Sequence, residues 1–340
     1  MSQFKCEVVK LDVIPHSNAD RLAVAKIRGK AWQCVIAKDS FKTGDLAVYI
    51  PIDSVLPDPI VKLLGIEKNY HKRVRSIKLR GELSQGLVMR IPTNLATDRI
   101  EEGTDLTEFL GITKWEEPIP VHMAGQLRAE PGEFVKYTDI ENYKNFPDVF
   151  ENGELVVITE KLHGSSLRVL NLNGELHVGS HRRNLQYDAK NLYWRAAEFL
   201  DLKNKINPGE QVFGEIVGPG VQDLTYGKKN GEIGVYIFDF MRDEKYLDFE
   251  EFLKVTEERN LPRVPTIFYR NDIVVNPTHI WNKTLMGYAD GVSYLNPDQI
   301  REGIVIKPVK EGYSEKLSGR KIIKVISDSY LLRKEGTERH

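Results

Sequence analysis

EKLHGSSLRV, residues 160–169, lies between ELVVIT (154–159) and an apolar continuation, LRVLNL (167–172). Branched apolar residues on either side of a His-Gly-Ser-Ser run predict two strands joined by a tight polar turn. Any polar residue would keep such a turn soluble, so a hairpin alone does not account for the lysine at its mouth. Downstream the pattern gives longer strands and one clear helix. NLQYDAKNLYWRAAEFLDLK (184–203) places Leu192, Ala196, Phe199 and Leu200 on one helical face. Upstream, residues 121–150 carry Tyr137, Tyr143, Phe146 and Phe150 at a spacing that suits a packed connector better than a free linker.

Further toward the N-terminus the strands shorten. CEVVKLDVI (6–14), RLAVAKIRG (21–29), WQCVIA (32–37) and DLAVYIPI (45–52) are separated by Gly, Pro, Asp and Asn, and SIKLRGELSQGLVMRIP (76–92) adds a second such run. Closely spaced strands with little helix predict a small barrel of the oligonucleotide-binding (OB) type. DLTEFLGITKWEEPIP (105–120) reads as a short helix or turn leading into a Pro-rich exit, and the tail RKEGTERH as a polar, frayed end. The expected organisation is α+β. An OB-type β-barrel occupies 1–120, a connector 121–150, and a mixed α/β domain built on antiparallel sheets 151–334.

Bulk properties agree with two soluble domains. The chain has 340 residues, 41% apolar and 29% charged, and two domains are the ordinary expectation at that length. No apolar run of about 18 residues is present, so no membrane span is expected, and the start MSQFKCEVVK is not that of a signal peptide. Cys6 and Cys34 form neither a metal motif nor a disulfide framework, which fits a reducing, cytoplasmic setting. The net charge of −1 hides an asymmetry: residues 1–90 hold 16 Lys+Arg against 9 Asp+Glu, which is +7, leaving −8 for the rest. The basic half peaks at HKRVRSIKLR (71–80), where Arg73, Arg75, Lys78 and Arg80 alternate with Val74, Ile77 and Leu79. On a strand this gives either a basic face suited to phosphate backbones or an ordinary solvated face.

Several common sites are absent. There is no P-loop, GPGVQD (218–223) does not fit the dinucleotide fingerprint, and no zinc motif or nucleophile elbow occurs. What remains is a set of strands that end on unusual polar residues: EKLHGSS (160–166), GSHRRN (179–184), VFGEIVGPG (212–220), VYIFDF (235–240), REGIVIKP (301–308) and KIIKVIS (321–327). Singly each is weak. In order they supply an amine, arginines, two carboxylates framed by glycines, an aromatic ring and a terminal lysine. That inventory suits attack on the α-phosphate of a nucleoside triphosphate. Carboxylates can hold Mg²⁺, cations can neutralise phosphates, and a ring can stack on a base.

The same order resembles that of the covalent nucleotidyltransferases, namely DNA ligases, RNA ligases and mRNA-capping enzymes. The flanks KLRGELSQGLV, LGITKWEEPI, FGEIVGPGVQ and REGIVIKP are most similar to ATP-dependent RNA ligases of the Naegleria type, which place an OB domain before an ATP-grasp-like catalytic domain. HSNADRLAVAKI (16–27) also resembles the opening of barrel domains that bind tRNA in trans.

The resemblance implies a role for each matching residue. Lys161 is the nucleophile that becomes lysyl-AMP, with Glu160 beside it among the nucleotide contacts. Arg183 contacts the nucleotide phosphate or the RNA end, and Arg182 lies with the nucleic-acid contacts. Glu215 binds ribose or a metal-bound water, and Phe238 stacks on adenine. Glu302 holds Mg²⁺ or Mn²⁺ through water, Lys307 faces the phosphates, and Lys324 binds the α-phosphate. His163 stands where many relatives have Asp, and Lys321 lies three residues before Lys324, so on a regular strand the two point to opposite faces.

The implied partner is RNA with a nick or broken ends, acted on by a monomer, with Arg73, Arg75, Lys78 and Arg80 as the barrel's contacts. Three alternatives stay open at this stage. A capping-type guanylyltransferase would prefer GTP, a DNA ligase would seal an all-DNA nick equally well, and an RNA-binding module would form no covalent adduct.

Overall fold

The computed structural model describes residues 4–93, 95, 100–116, 124–151, 153–269 and 279–333, with side chains from 284 onward in the last of these stretches. The Pro-rich exit at 117–120 and the tail beyond 333 lie outside the described residues. Two compact units emerge. One comprises Met1–Glu117 with Glu141–Pro147 and Asp328–His340, the other Pro118–Ile140 with Asp148–Ser327. The stretch read as a connector is therefore divided, with Glu141–Pro147 in the first unit.

In the first unit β1 (Glu7–Pro15) pairs on one side with β2 (Leu22–Ile27), which pairs with β3 (Gln33–Ala37). On its other side it pairs with β4 (Leu46–Ile50), and β4 pairs with β7 (Leu87–Met89). The order β3-β2-β1-β4-β7 curls around a core that includes Val8, Val48, Ile50, Leu106 and Leu110. Helix α1 (Asp58–Leu64) opens after Pro57 and stops at Gly65, whose φ of 63° is left-handed. A hairpin, β5 (Ser76–Leu79) and β6 (Glu82–Gln85), turns on Arg80 (φ 49°) and Gly81 (φ 102°). It is tied to β3 by bonds from Val35 N–H to Ser84 Oγ (3.0 Å) and from Gln33 Nε2 to the Leu83 carbonyl (2.8 Å). The closely spaced strands expected of an OB barrel are present.

The basic run 71–80 departs from the alternating face expected of it. Its strand begins only at Ser76, so residues 71–75 follow a loop path and lose the period of two. Arg73 is 8% exposed, pairs with Asp53 at 2.9 Å and lies 3.8 Å over the Trp115 ring. Arg75 is half-buried and donates to the Arg333 carbonyl at 2.6 Å. Lys78 and Arg80 are exposed, as is Ile77.

The second unit is built on two antiparallel sheets. One runs in the order β15 (Ile323–Ile326), β14 (Gly303–Pro308), β8 (Val156–Lys161), β13 (Thr266–Phe268). The other contains β10 (Glu175–Ser180), β9 (Ser165–Leu172), β11 (Glu210–Val217) and β12 (Gly234–Arg242) in that order. Leu167, Val169, Val212, Ile216 and Ile237 pack with Tyr193, Ala196, Ala197 and Leu200 of the helical segment. Helix α2 spans only Leu192–Phe199, started by Asn191, whose side chain accepts the Tyr193 N–H. Asn184–Leu185, expected to be helical, forms a strand instead. Phe199 is 62% exposed, which corrects the expected helical face. The buried stripe centres on Tyr193, Ala197 and Leu200, leaving position 199 beyond its border. Among the described residues no helix is long and apolar enough to cross a membrane.

Candidate active site

Strand register decides which side chains meet. Lys161 lies opposite Gly303, Thr159 opposite Val305, and Val157 opposite Lys307; Val305 lies opposite Lys324. Opposed residues of an antiparallel ladder share a face, so Lys161, Val305, Lys307 and Lys324 stand on one side of the sheet. Val305 packs against a buried cluster that includes Phe213 and Met241 of the other sheet, so the two sheets meet along this side. Glu302 precedes β14 and is fully buried. Both of its carboxylate oxygens accept from Lys161 Nζ, at 2.9 and 3.0 Å. Glycine at 303 is required there, since a Cβ would stand 2.2 Å from the Val325 carbonyl oxygen.

Glu160 does not share that side. It is one residue from Lys161 and opposite Ile304, so its side chain falls on the reverse face, where it accepts the Tyr294 N–H at 2.9 Å. Its expected place beside Lys161 in the nucleotide pocket is corrected by this register. Burial chiefly raises its carboxyl above the ordinary range.

The turn after Lys161 is held from several directions. His163 is 2% exposed, with Nε2 at 2.8 Å from Asp223 Oδ1 and Nδ1 at 3.9 Å from Glu302 Oε2. Its backbone N–H donates to the Tyr226 hydroxyl at 2.6 Å. Gly164 packs directly on β11, where a Cβ would meet the Ile216 carbonyl oxygen at 2.2 Å and Glu215 Cγ at 2.9 Å. The close approach permitted by this glycine is therefore to a neighbouring strand. It also brings Glu215, half-buried on β11, up against the turn.

On the second sheet the ladder slips between Phe213 and Gly214 of β11. Phe213 faces Asp239 and Gly214 faces Ile237, so Phe238 is the extra residue. This bulge places the Phe238 ring edge-on to Tyr137 at 4.9 Å. Asp239 is fully buried. It accepts from Tyr137 Oη at 2.8 Å, Lys307 Nζ at 3.0 Å and Arg320 Nη2 at 2.6 Å. Burial opposes ionisation of Asp239, but Arg320 and then Lys307 outweigh it and hold the carboxyl below the ordinary range. Lys307 was expected to face phosphates; its ammonium is instead taken up by Asp239 and, at 3.4 Å, by Glu311.

Lys324 is 1% exposed on the Lys161 side of its sheet. Lys321 points elsewhere, to Glu154 at 2.7 Å. Arg183 is half-buried, and its charge bears on the Tyr193 hydroxyl, which shares a 2.7 Å hydrogen bond with Ser165. Arg182 is exposed.

Arg320, Asp223 and Tyr226 escaped the sequence reading, and Tyr137 entered it only as a packing residue of the connector, because they act on motif residues from far along the chain. The aromatic-Asp pair at 238–239 was their one local signal. Arg168 escaped it too. Fully buried, it donates to the carbonyls of Ser180 (2.7 Å) and Phe134 (3.0 Å) and to Glu130 (3.1 Å), fixing residues 130–134 to the sheet.

A lysine held on a buried glutamate between two antiparallel sheets, in a chain that also folds an OB-type barrel, defines the covalent nucleotidyltransferase class. A family model described as RNA ligase matches residues 154–326, and one described as an OB-fold domain matches residues 6–91. The chain belongs to the RNA ligase family.

Solved structures of the Naegleria gruberi RNA ligase match over nearly the whole chain. A lysine-to-alanine variant with ATP and Mn gives a TM-score of 0.82 at 29% identity, covering 97% of this chain and 99% of that one. A glutamate-to-alanine variant with AMP and Mn gives 0.83 at 30%, covering 98% and 100%. The same ligase with PPi gives 0.82 at 28%, covering 98% and 100%. No curated protein sequence matches the chain.

Proposed function

We propose that this chain is an ATP-dependent RNA ligase that joins a 3′-hydroxyl to a 5′-phosphate through lysyl-AMP and an adenylylated RNA end. The observation that carries this reading is the position of Lys161, whose amine sits on buried Glu302 with Lys324 on the same face. In the first step Lys161 Nζ, as free amine, attacks the α-phosphorus of ATP. The P–O bond to pyrophosphate breaks, and pyrophosphate leaves with the bonding pair. The ion pair to Glu302 must open for this to happen, which couples nucleotide entry to release of the nucleophile. AMP then passes from Lys161 to the 5′-phosphate, and attack by the 3′-hydroxyl expels it.

Lys324, buried on the Lys161 side, supplies positive charge for the α-phosphate, and Arg183 supplies it nearer the Ser165 turn. Phe238, braced by Tyr137, offers a ring for adenine to stack on. The residues present suit a divalent cation of the Mg²⁺ or Mn²⁺ kind. Glu302 and Glu215 are hard oxygen donors whose charges both bear on the Tyr226 hydroxyl, and such ions take one or two carboxylates with waters and phosphates. A bound cation would neutralise phosphate charge there. Among the described residues no three His, Cys, Asp or Glu side chains are placed to hold a metal ion by themselves, as a protein-only cage needs.

The test is incubation with α-labelled ATP and a divalent cation, followed by a denaturing gel. The expected result is a labelled band that is lost in Lys161→Ala. Label persisting in that variant overturns Lys161 as nucleophile. Preference for GTP in the same assay favours a capping-type enzyme, and equal sealing of an all-DNA nick favours a DNA ligase.

A further inference from the structure

Beyond β11 the chain turns back as a strap, residues 221–227, that ends in a strained backbone. Tyr226 has a φ of 53°, a conformation that bulky residues rarely adopt, and it is 3% exposed. Its N–H donates to Gln299 Oε1 at 2.9 Å, and its hydroxyl accepts the His163 N–H at 2.6 Å. Three residues earlier, Asp223 Oδ1 takes His163 Nε2 at 2.8 Å. One strap thus holds one residue twice, by backbone and by ring, and that residue is two positions from Lys161.

Burial, then the charge of Glu302, pushes the Tyr226 phenol well above its ordinary titration range, so it stays a neutral hydrogen-bonding group. A buried N–H left unpaired is costly, which makes the Tyr226 bond a firm restraint on the turn. Strain of this kind persists where the surroundings over-determine it, and here those surroundings adjoin the nucleophile.

We propose that Asp223 and Tyr226 are positioning residues for Lys161: by clamping His163 they fix the turn that seats the Lys161 amine on Glu302, ready for the first chemical step. This rests on the reading of Lys161 as nucleophile. Sealing of an RNA whose 5′ end is already adenylylated needs no attack by Lys161, so it separates positioning of the nucleophile from general damage to the fold.

Asp223→Asn, Tyr226→Phe and Lys161→Ala are compared with the parent enzyme by single-turnover labelling with α-labelled ATP, and by sealing of pre-adenylylated RNA. The expected result for the two strap variants is a fall of tenfold or more in the labelling rate at saturating ATP. The ATP concentration for half-maximal rate and the sealing of pre-adenylylated ends stay within twofold of the parent. Asp223→Asn, which removes a charge at a partly exposed position, covers the case in which Tyr226→Phe folds poorly. In a His163→Ala background Asp223→Asn is expected to cost nothing further, because its partner is gone.

Equal losses in labelling and in pre-adenylylated sealing overturn the positioning role. So do labelling rates within twofold of the parent, or an undiminished Asp223→Asn effect without His163. Labelling that survives Lys161→Ala overturns the nucleophile reading, and the positioning role with it.

Discussion

At position 164 a methyl group would stand 2.2 Å from the Ile216 carbonyl oxygen, a backbone atom that cannot swing aside. Gly164→Ala must therefore push the Lys161 turn away from β11, and such overpacking costs about 1–3 kcal/mol. The variant is expected to lower the urea midpoint and to slow lysyl-AMP formation, while Gly287→Ala, at a position where a Cβ meets nothing within 4 Å and the backbone is not left-handed, should leave labelling at the parent rate. Glu160 gives the opposite case. Its carboxyl is raised by burial, so the folded state penalises its ionised form. Below about pH 4.3, the ordinary glutamate value, that penalty is absent; it grows as pH rises through the folded value. Glu160→Gln carries no charge to penalise. Its stability relative to the parent should improve from pH 4 to pH 7, read as the difference in urea midpoints, and labelling should persist because the side chain lies on the reverse face. A Gln variant that is less stable at pH 7 than at pH 4, relative to the parent, would refute this account.

Elements converge on the bulge in β12. Arg320 Nη2 reaches Asp239 at 2.6 Å, its Nη1 donates to Tyr137 Oη at 3.1 Å, and its guanidinium lies 3.6 Å over the Tyr246 ring. Arg320→Met leaves Asp239 buried with one cation fewer, and breaking a buried pair costs about 3–5 kcal/mol. Because Asp239 is held below the ordinary carboxyl range, its pairing stabilises the fold above about pH 3.9 and is lost as pH falls through the folded value. The advantage of the parent over Arg320→Met should accordingly narrow between pH 6 and pH 3 in urea titrations. At pH 7 the variant should also need more ATP for half-maximal labelling, since Phe238 loses its support. Little of this network was legible in the sequence, because Tyr137 reaches Asp239 across 102 residues and Arg320 across 183, and pattern reading sees only neighbours. What was legible is local: the short barrel strands, the turn at 162–164 and the polar residues that end each strand. Arg73 was misplaced because a period of two was extended beyond the strand, which begins only at Ser76, and Phe199 because the apolar stripe of the helix was drawn one position too wide. Glu160 entered only as a motif neighbour of Lys161, and the alternation of a strand turns its side chain to the reverse face.

At the scale of the whole molecule, charge and chemistry separate along the chain. Residues 1–90 carry the positive excess, while Lys161, Glu302 and Lys324 all belong to the second unit. Nucleotide transfer to the enzyme needs only a small anion at the lysine, whereas joining needs two RNA ends held by their backbones, and backbone affinity is the part that salt weakens. Lys78 and Arg80 are the exposed cations of the hairpin, one ahead of its turn and one within it beside Gly81. Arg73 belongs to no such set, since its guanidinium is committed to Asp53 and Trp115, and reversing it should unfold the barrel. Reversing Lys78 and Arg80 to Glu is therefore expected to weaken RNA binding about tenfold or more at low salt. It should also make the dependence of log affinity on log salt shallower by about 2, at close to 0.9 for each phosphate no longer neutralised. The same double variant should form lysyl-AMP at the parent rate, because no nucleic acid takes part in that step. Equal salt slopes for parent and variant, or sealing at the parent rate in about 50 mM salt, would remove the hairpin from the RNA path and return its charges to an ordinary solvated surface.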